Sequence, residues 1–176
     1  MTAEQRKKKT RWCLYIILGV FLISFITIMS LLLFAFDVVT MSSQAMSPTL
    51  QSMDNLISNK TAYKSHDPQR YDIILLEEFP EHIVIKRIIG MPYEHIAIID
   101  KQVFINGSQL HEEYLNGAYT DGDISMIIPE GHYFVMGDNR SASHDSRAEN
   151  FGLVAKENIH GKVIFRFSPL KRLGFL

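Results

Sequence analysis

The rhythm of hydrophobic and polar positions changes once along this chain, near residue 37. Trp12–Phe36 reads WCLYIILGVFLISFITIMSLLLFAF and carries no charged side chain. A bilayer core about 30 Å thick takes about 20 apolar residues as helix, so this run predicts a spanning helix with length to spare for tilt. Beyond Thr40 the apolar runs shorten, alternate with polar positions and fall between turn residues. That pattern predicts strands at Asn55–Asn59, Tyr71–Leu76, Ile83–Ile89, Ile96–Ile99, Gln102–Ile105, Tyr133–Met136 and Lys162–Phe167. Asp100-Lys101 predicts a hairpin turn and Asn106-Gly107 a second reversal. The polar stretch His111–Ile124 predicts a long loop or insertion, and only Val154–Ile159 reads as a helical turn. The expected organisation is a basic tail over 1–11, a transmembrane helix over 12–36, and a mainly antiparallel β domain over 37–176. That domain is either barrel-like or folded as two sheets.

Charge sets an expected orientation. Five basic residues crowd into Arg6–Arg11, just ahead of the apolar run, and Asp37 follows it. Basic flanks stay on the cytoplasmic side, so the β domain is expected to face outward, with Trp12 and Tyr15 at the inner interface. A cleavable signal peptide has a shorter apolar core. Ser43-Gln44-Ala45 does resemble a small-x-small cleavage site, but it lies well past the end of the run. An uncleaved anchor is the better reading, and a buried soluble helix a weaker one. The single cysteine, Cys13, falls inside the run and excludes a disulfide framework. It reads as a small apolar helix residue, with lipidation the alternative. A net charge of -1 gives no reason to expect a nucleic-acid partner. The seven histidines are scattered, which leaves no zinc pattern and no expected metal or cofactor.

Two sets of residues carry candidate chemistry. Ser143-His144-Asp145 holds the three side-chain types of a serine-hydrolase triad. Three consecutive residues point apart, however, whereas triad members must converge. Lysine is the other base for a nucleophilic hydroxyl, provided burial or a neighbouring cation depresses its pKa from near 10.4. Lys86 sits in HIVIKRIIGMP, inside a β-branched run. Alternation puts Ile83 and Ile85 on one face and Val84, Lys86 and Ile88 on the other, with Arg87 pointing away from Lys86. From the pattern alone, a buried base and an edge-strand lysine with its ammonium in water stand equal.

Three segments together resemble bacterial type I signal peptidase, the membrane-bound Ser–Lys enzyme that removes signal peptides. Ala45-Met46-Ser47-Pro48-Thr49-Leu50 is similar to the family's Ser-Met-x-Pro-Thr-Leu. Lys86-Arg87-Ile88-Ile89-Gly90-Met91-Pro92, preceded by Arg70-Tyr71-Asp72-Ile73-Ile74, is similar to its Lys-Arg-x-x-Gly-x-Pro. Gly137 through Arg147, GDNRSASHDSR, matches Gly-Asp-Asn-Arg-x-x-Ser-x-Asp-Ser-Arg throughout. The resemblance covers essentially the whole chain and implies an antiparallel β catalytic domain of signal-peptidase and LexA-like type. It implies that Ala45 stands at the nucleophile position and Lys86 at that of the general base. Ser43 then assists the backbone N–H of residue 45 in the oxyanion hole. Ser143 orients the lysine, Asp145 and Arg147 form a charge pair holding the loop, and Met46 and Ile85 line the substrate pocket. The implied partners are preprotein signal peptides, the lipid bilayer and the secretion machinery. The bland alternatives are that Met46 and Ile85 are core only and that Asp145–Arg147 is an ordinary ion pair.

The chain departs from the pattern at four places, one of them the stretched spacing from Asp145-Ser146-Arg147 to the next glycine, Gly152. Met53-Asp54 and Tyr93-Glu94 replace Gly-Asp pairs, which puts the geometry of two loops in question. Ala45 has no hydroxyl, so Lys86 has nothing to activate, and loss of a nucleophile typically costs on the order of 10⁶ in kcat. Ser47 precedes Pro48, which restricts its backbone, and Ser42 or Ser43 would reach the site only if the strand shifted, where a misplacement of about 1 Å can cost about 10²-fold. The chain as written is therefore expected to be nearly inert. It is either a competent scaffold whose serine was replaced or a non-catalytic, membrane-anchored binder of signal peptides or secretion partners. A LexA-like self-cleaving repressor shares the chemistry, but the anchor and the lack of a DNA-binding helix pair argue against it. Phe165, Phe167 and Leu170 with Lys171 and Arg172 read as the end of a strand, with a lipid-facing patch the alternative.

Overall fold

A computed structural model describes residues 3–79 and 82–176. The chain divides into two compact units, Met1–Phe36 and Asp37–Leu176. The first is helix α1, Ala3–Ala35. Its stretch Trp12–Ala35 is 24 residues of membrane-spanning length and composition. At about 1.5 Å per residue that is enough to cross the hydrocarbon core. The helix starts earlier than the apolar run and includes the backbone of the basic flank. It stops one residue early, because Phe36 opens a strand. The side chains of Arg6–Arg11, expected at the inner face of a membrane, lie outside the described residues.

The second unit is antiparallel β. Its strands are β1 (Phe36–Thr40), β2 (Asn55–Asn59), β3 (Ile73–Phe79), β4 (His82–Gly90), β5 (His95–Ile99), β6 (Gln102–Ile105), β7 (Ser108–Gln109), β8 (Ile124–Ile127), β9 (His132–Met136), β10 (Val154–Ala155), β11 (Ile159–Ser168) and β12 (Gly174–Phe175). The larger sheet runs in the order β1-β2-β11-β3-β4-β9-β10, with β12 paired to β11. The smaller runs β7-β6-β5-β8. All seven predicted strands are present, within a few residues at their ends. The predicted start at Tyr71 moves to Ile73 because Tyr71 sits in a turn at φ 74°. β1, β7, β8, β10 and β12 are additions to the expectation. Ile124–Ile127 follows a polar loop and is too short to show alternation by itself. Short 3₁₀ turns occur at Glu113–Leu115, Lys156–Asn158 and Leu170–Arg172. Only the second of these lies where a helical turn was expected.

The turn chemistry follows the predicted positions. Asp100 and Lys101 both adopt positive φ, 49° and 64°, between β5 and β6, and Asn106 and Gly107 do so between β6 and β7. Two successive left-handed residues match the right-handed twist of the strands they join.

Strands β3 and β4 are buried on both faces, and their alternation divides the core. Ile73, Leu75 and Ile85 pack with Met41, Met46, Leu50, Leu56 and Val163. Ile74, Leu76 and Ile88 pack on the opposite face with Tyr133, Val135 and Val154. A third cluster, centred on Ile96, Ile98, Ile128 and Phe134, ties the smaller sheet to the larger one. In β4, Val84 joins the face of Ile88 and Ile85 the other, as the period of two requires.

Candidate active site

Lys86 occupies the middle of β4 and pairs across the sheet with Ile74 of β3. It is 4% exposed. This burial overturns the alternative of an edge-strand ammonium in water, although β9 pairs with β4 only from Arg87 to Gly90 and stops short of Lys86. Its Nζ donates to Ser143 Oγ at 3.1 Å and stands 5.8 Å from the centre of the Phe151 ring. Burial lowers the Lys86 pKa below the ordinary lysine value; Asp145 and Glu78 oppose the shift and Arg147 adds to it. Desolvation dominates because a bare ammonium loses more hydration than one hydroxyl returns.

Ser143 belongs to the loop that follows β9. Asp145 holds this loop from inside. Its carboxylate accepts from the Gly137 amide at 3.0 Å and from Arg147 Nε at 2.8 Å. Burial alone would raise the Asp145 carboxyl. The Arg147 guanidinium, the Gly137 amide and the Ser143 hydroxyl outweigh it and hold the carboxyl below its usual value. Arg147 also donates to the carbonyls of Arg140 (2.7 Å) and Ser143 (3.3 Å), closing the loop on itself. Asp145–Arg147 is thus a buried loop brace rather than a surface pair. His144 turns outward and bonds Glu78 at 2.7 Å and Asn150 at 3.0 Å. Ser143, His144 and Asp145 therefore make no triad.

Ala45 lies in the turn after β1 and is buried. Its amide donates to Ser43 Oγ at 3.4 Å, and its carbonyl accepts from the Asn139 amide at 2.9 Å. The Asn139 side-chain amide donates to Gln44 O at 3.1 Å. Gly137 makes the close approach possible. A Cβ there would stand 2.3 Å from Ser143 Oγ and 2.4 Å from Ala45 O. The Ala45 turn, Ser143 and, through Ser143, Lys86 thus meet at a position only glycine can fill. Met46 is fully buried in the core. Ile85 belongs to the same cluster and also lines a cavity.

That cavity, about 100 Å³, is walled by Met41, Ser43, Ile83, Ile85 and Lys86 among others. β9 pairs with β4 only from Arg87 to Gly90, so the segment His82–Lys86 presents its outer side to this cleft.

Three residues were not singled out from the sequence, although all sit inside the quoted motifs. Arg87 points away from Lys86, as alternation predicts, and forks onto Asp138 with contacts of 2.8 and 2.6 Å. Thr49 Oγ1 donates to the same carboxylate at 2.5 Å. One buried carboxylate thereby joins the lysine strand to the turn that carries Ala45. The only signal was Arg87, a charge inside an apolar strand, where unpaired charge is costly, while Asp138 sits in a polar loop and gave none.

Two loops keep left-handed backbone without glycine: Met53 at φ 70° and Tyr93 at φ 68°. The Gly-to-Met and Gly-to-Tyr departures leave the turn conformation in place.

The family model described as "Signal peptidase, peptidase S26" matches residues 10–168. The chain is 34% identical to "Signal peptidase I" of Bacillus caldolyticus, over 99% of this chain and 99% of that protein. It is 36% identical to "Signal peptidase I V" of Bacillus subtilis (strain 168), over 68% of this chain and 78% of that protein. The crystal structure of a signal peptidase I from Enterococcus faecalis V583 is similar at 36% identity and a TM-score of 0.48, covering 55% of this chain and 96% of its own.

Proposed function

The chain belongs to the peptidase S26 family of signal peptidases, and from that premise we propose that it is a single-pass, membrane-anchored, signal-peptide-binding Ser–Lys scaffold lacking only its nucleophile. The 1–11 tail lies in the cytoplasm, α1 crosses the membrane, and the domain over 37–176 works on the extracytoplasmic face. Signal peptides bind extended along the outer side of His82–Lys86, as an added strand facing Met41–Ser43. Neither metal nor cofactor takes part. The observation that carries the reading is the buried Lys86 ammonium, lowered in pKa and held on Ser143. Such a lysine is costly to keep and has no role in packing that an apolar residue would not serve better.

With serine at position 45 the chemistry follows from this geometry. Lys86, neutral, takes the hydroxyl proton as the serine attacks the carbonyl carbon after a small residue. The amide of residue 45 and the Ser43 hydroxyl face the developing oxyanion. Lys86 then returns the proton to the leaving amine, and Ser143 keeps it aimed through both transfers. Asp145 and Arg147 hold Ser143, while Ile85, with Met46 behind it, shapes the cleft. With Ala45 the same cleft binds without cutting.

The second reading is a homologue that has no catalytic past to restore and acts by binding signal peptides or secretion partners. Residue 45 itself and the missing glycines at Met53 and Tyr93 favour it. Preprotein cleavage by purified Ala45→Ser separates the two, run beside the chain as written and Ala45→Ser/Lys86→Ala. Cutting by Ala45→Ser alone supports the Ser–Lys scaffold. Silence of all three, with preprotein still bound, leaves the binder.

A further inference from the structure

A second cavity lies just past residue 45. It holds about 370 Å³ and is walled by Ser47, Pro48, Ala118, Tyr119, Asn139 and Ser141 among others. That volume falls in the ~300–1,000 Å³ range of pockets that hold small ligands. The cleft beside β4 ends at Ser43 and Lys86. The chain then passes through Gln44 and Ala45 and reappears at Ser47 as a wall of the second cavity. Asn139 spans the junction. It bonds the carbonyls of Gln44 and Ala45 while lining the second cavity itself. The two cavities therefore flank residue 45, one on the side of Ser43 and one on the side of Ser47.

We infer that the second cavity binds the first residues after the cleavage point, so that uncleaved preprotein is held more tightly than a signal peptide alone. The inference rests on the reading that signal peptides lie along His82–Lys86. The walls suit a short stretch of small or polar residues. Ser141 and Asn139 are already hydrogen-bonded to each other at 3.1 Å, and both border the space. Apolar Leu115 and Ala118 line another side. The exposed Asp121 carboxylate, also in the lining, disfavours an acidic residue there.

Ala45 makes the test an equilibrium measurement, because the bound peptide is not consumed. The full chain in detergent micelles is titrated with two labelled peptides followed by fluorescence anisotropy. One ends at the small residue before the cleavage point and is amidated, so that no terminal carboxylate meets Lys86. The other continues past it with four neutral residues of mature sequence. The expected result is binding of the longer peptide at least about fivefold tighter, a gain of about 1 kcal/mol. Ala118→Trp and Ser141→Trp, which fill the cavity from two sides, are each expected to remove that gain. Equal affinity for the two peptides overturns the inference, and so does a gain that survives both tryptophan variants. If neither peptide binds, the signal-peptide reading fails and takes this inference with it. Equal binding of both removes only the role of the second cavity.

Discussion

Asp138→Asn is the sharpest perturbation of this architecture, because it keeps shape and removes charge at one buried atom pair. Arg87 and Asp138 are 9% and 0% exposed at the side chain and meet through two contacts of 2.8 and 2.6 Å. The substitution leaves the guanidinium buried without its counter-charge, and removing one partner of a buried pair costs ~3–5 kcal/mol. The Thr49 bond to the same carboxylate is weakened as well, adding about 1 kcal/mol. That is a large share of the ~5–15 kcal/mol by which a domain is usually stable. Replacing both partners, Arg87→Met/Asp138→Leu, removes the stranded charge and is expected to cost much less than the two single changes together. The assay is urea unfolding of the full chain in micelles by near-ultraviolet circular dichroism of the tyrosines. The only tryptophan, Trp12, lies in α1, so its fluorescence does not report on the β domain. Because the pair is buried, the cost should hold between about 0.1 M and about 1 M salt, over which the Debye length falls from ~10 Å to ~3 Å. A cost under about 1 kcal/mol, or one that fades with salt, would refute the view that this carboxylate pins the Ala45 turn to the lysine strand.

Lys86→Met should raise stability at neutral pH. In the unfolded chain the lysine takes up its proton below about 10.4, whereas in the fold burial keeps it neutral to lower pH. The unfolded state binds more protons in that window, so stability rises with pH across it, and the cost of Lys86 is full below the folded value. Urea midpoints over a pH series should show the advantage of Lys86→Met disappearing above about 10.4; an advantage independent of pH contradicts the assignment. At Met53, the left-handed backbone costs ~1–2 kcal/mol and glycine's unfolded-state entropy offsets ~0.5–1 of that, so Met53→Gly should stabilise by up to about 1.5 kcal/mol. Tyr93→Gly should stabilise in the same direction, because Tyr93 is also exposed and left-handed. Gly137→Ala forces apart Ser143 and the Ala45 carbonyl, an overpacking cost of ~1–3 kcal/mol. An Ala45→Ser/Gly137→Ala chain as active as Ala45→Ser would show that this contact does not set the site.

What was legible in the sequence was local. The helix of membrane-spanning length follows from a run with no charge, because burying one in hydrocarbon is prohibitive and composition alone records it. The interior strands follow from short apolar runs between turn residues, such as Ile73–Leu76, because a strand buried on both faces is apolar at nearly every position. The two hairpin turns were legible in the dipeptides Asp100-Lys101 and Asn106-Gly107. The short strands were not, because two to four residues carry no period; β8 becomes a strand only by pairing with β5. Alternation put Lys86 opposite Ile85 and Arg87 but left open whether it was buried. Burial depends on the loop carrying Ser143 and Phe151, supplied from far along the chain. The same holds for Asp138. An aspartate beside a glycine reads as a turn, and only the tertiary structure brings Arg87 and Thr49 to its two oxygens. Side-chain type and spacing are properties of the chain, whereas desolvation and the pairing of charges are properties of what the fold packs around them.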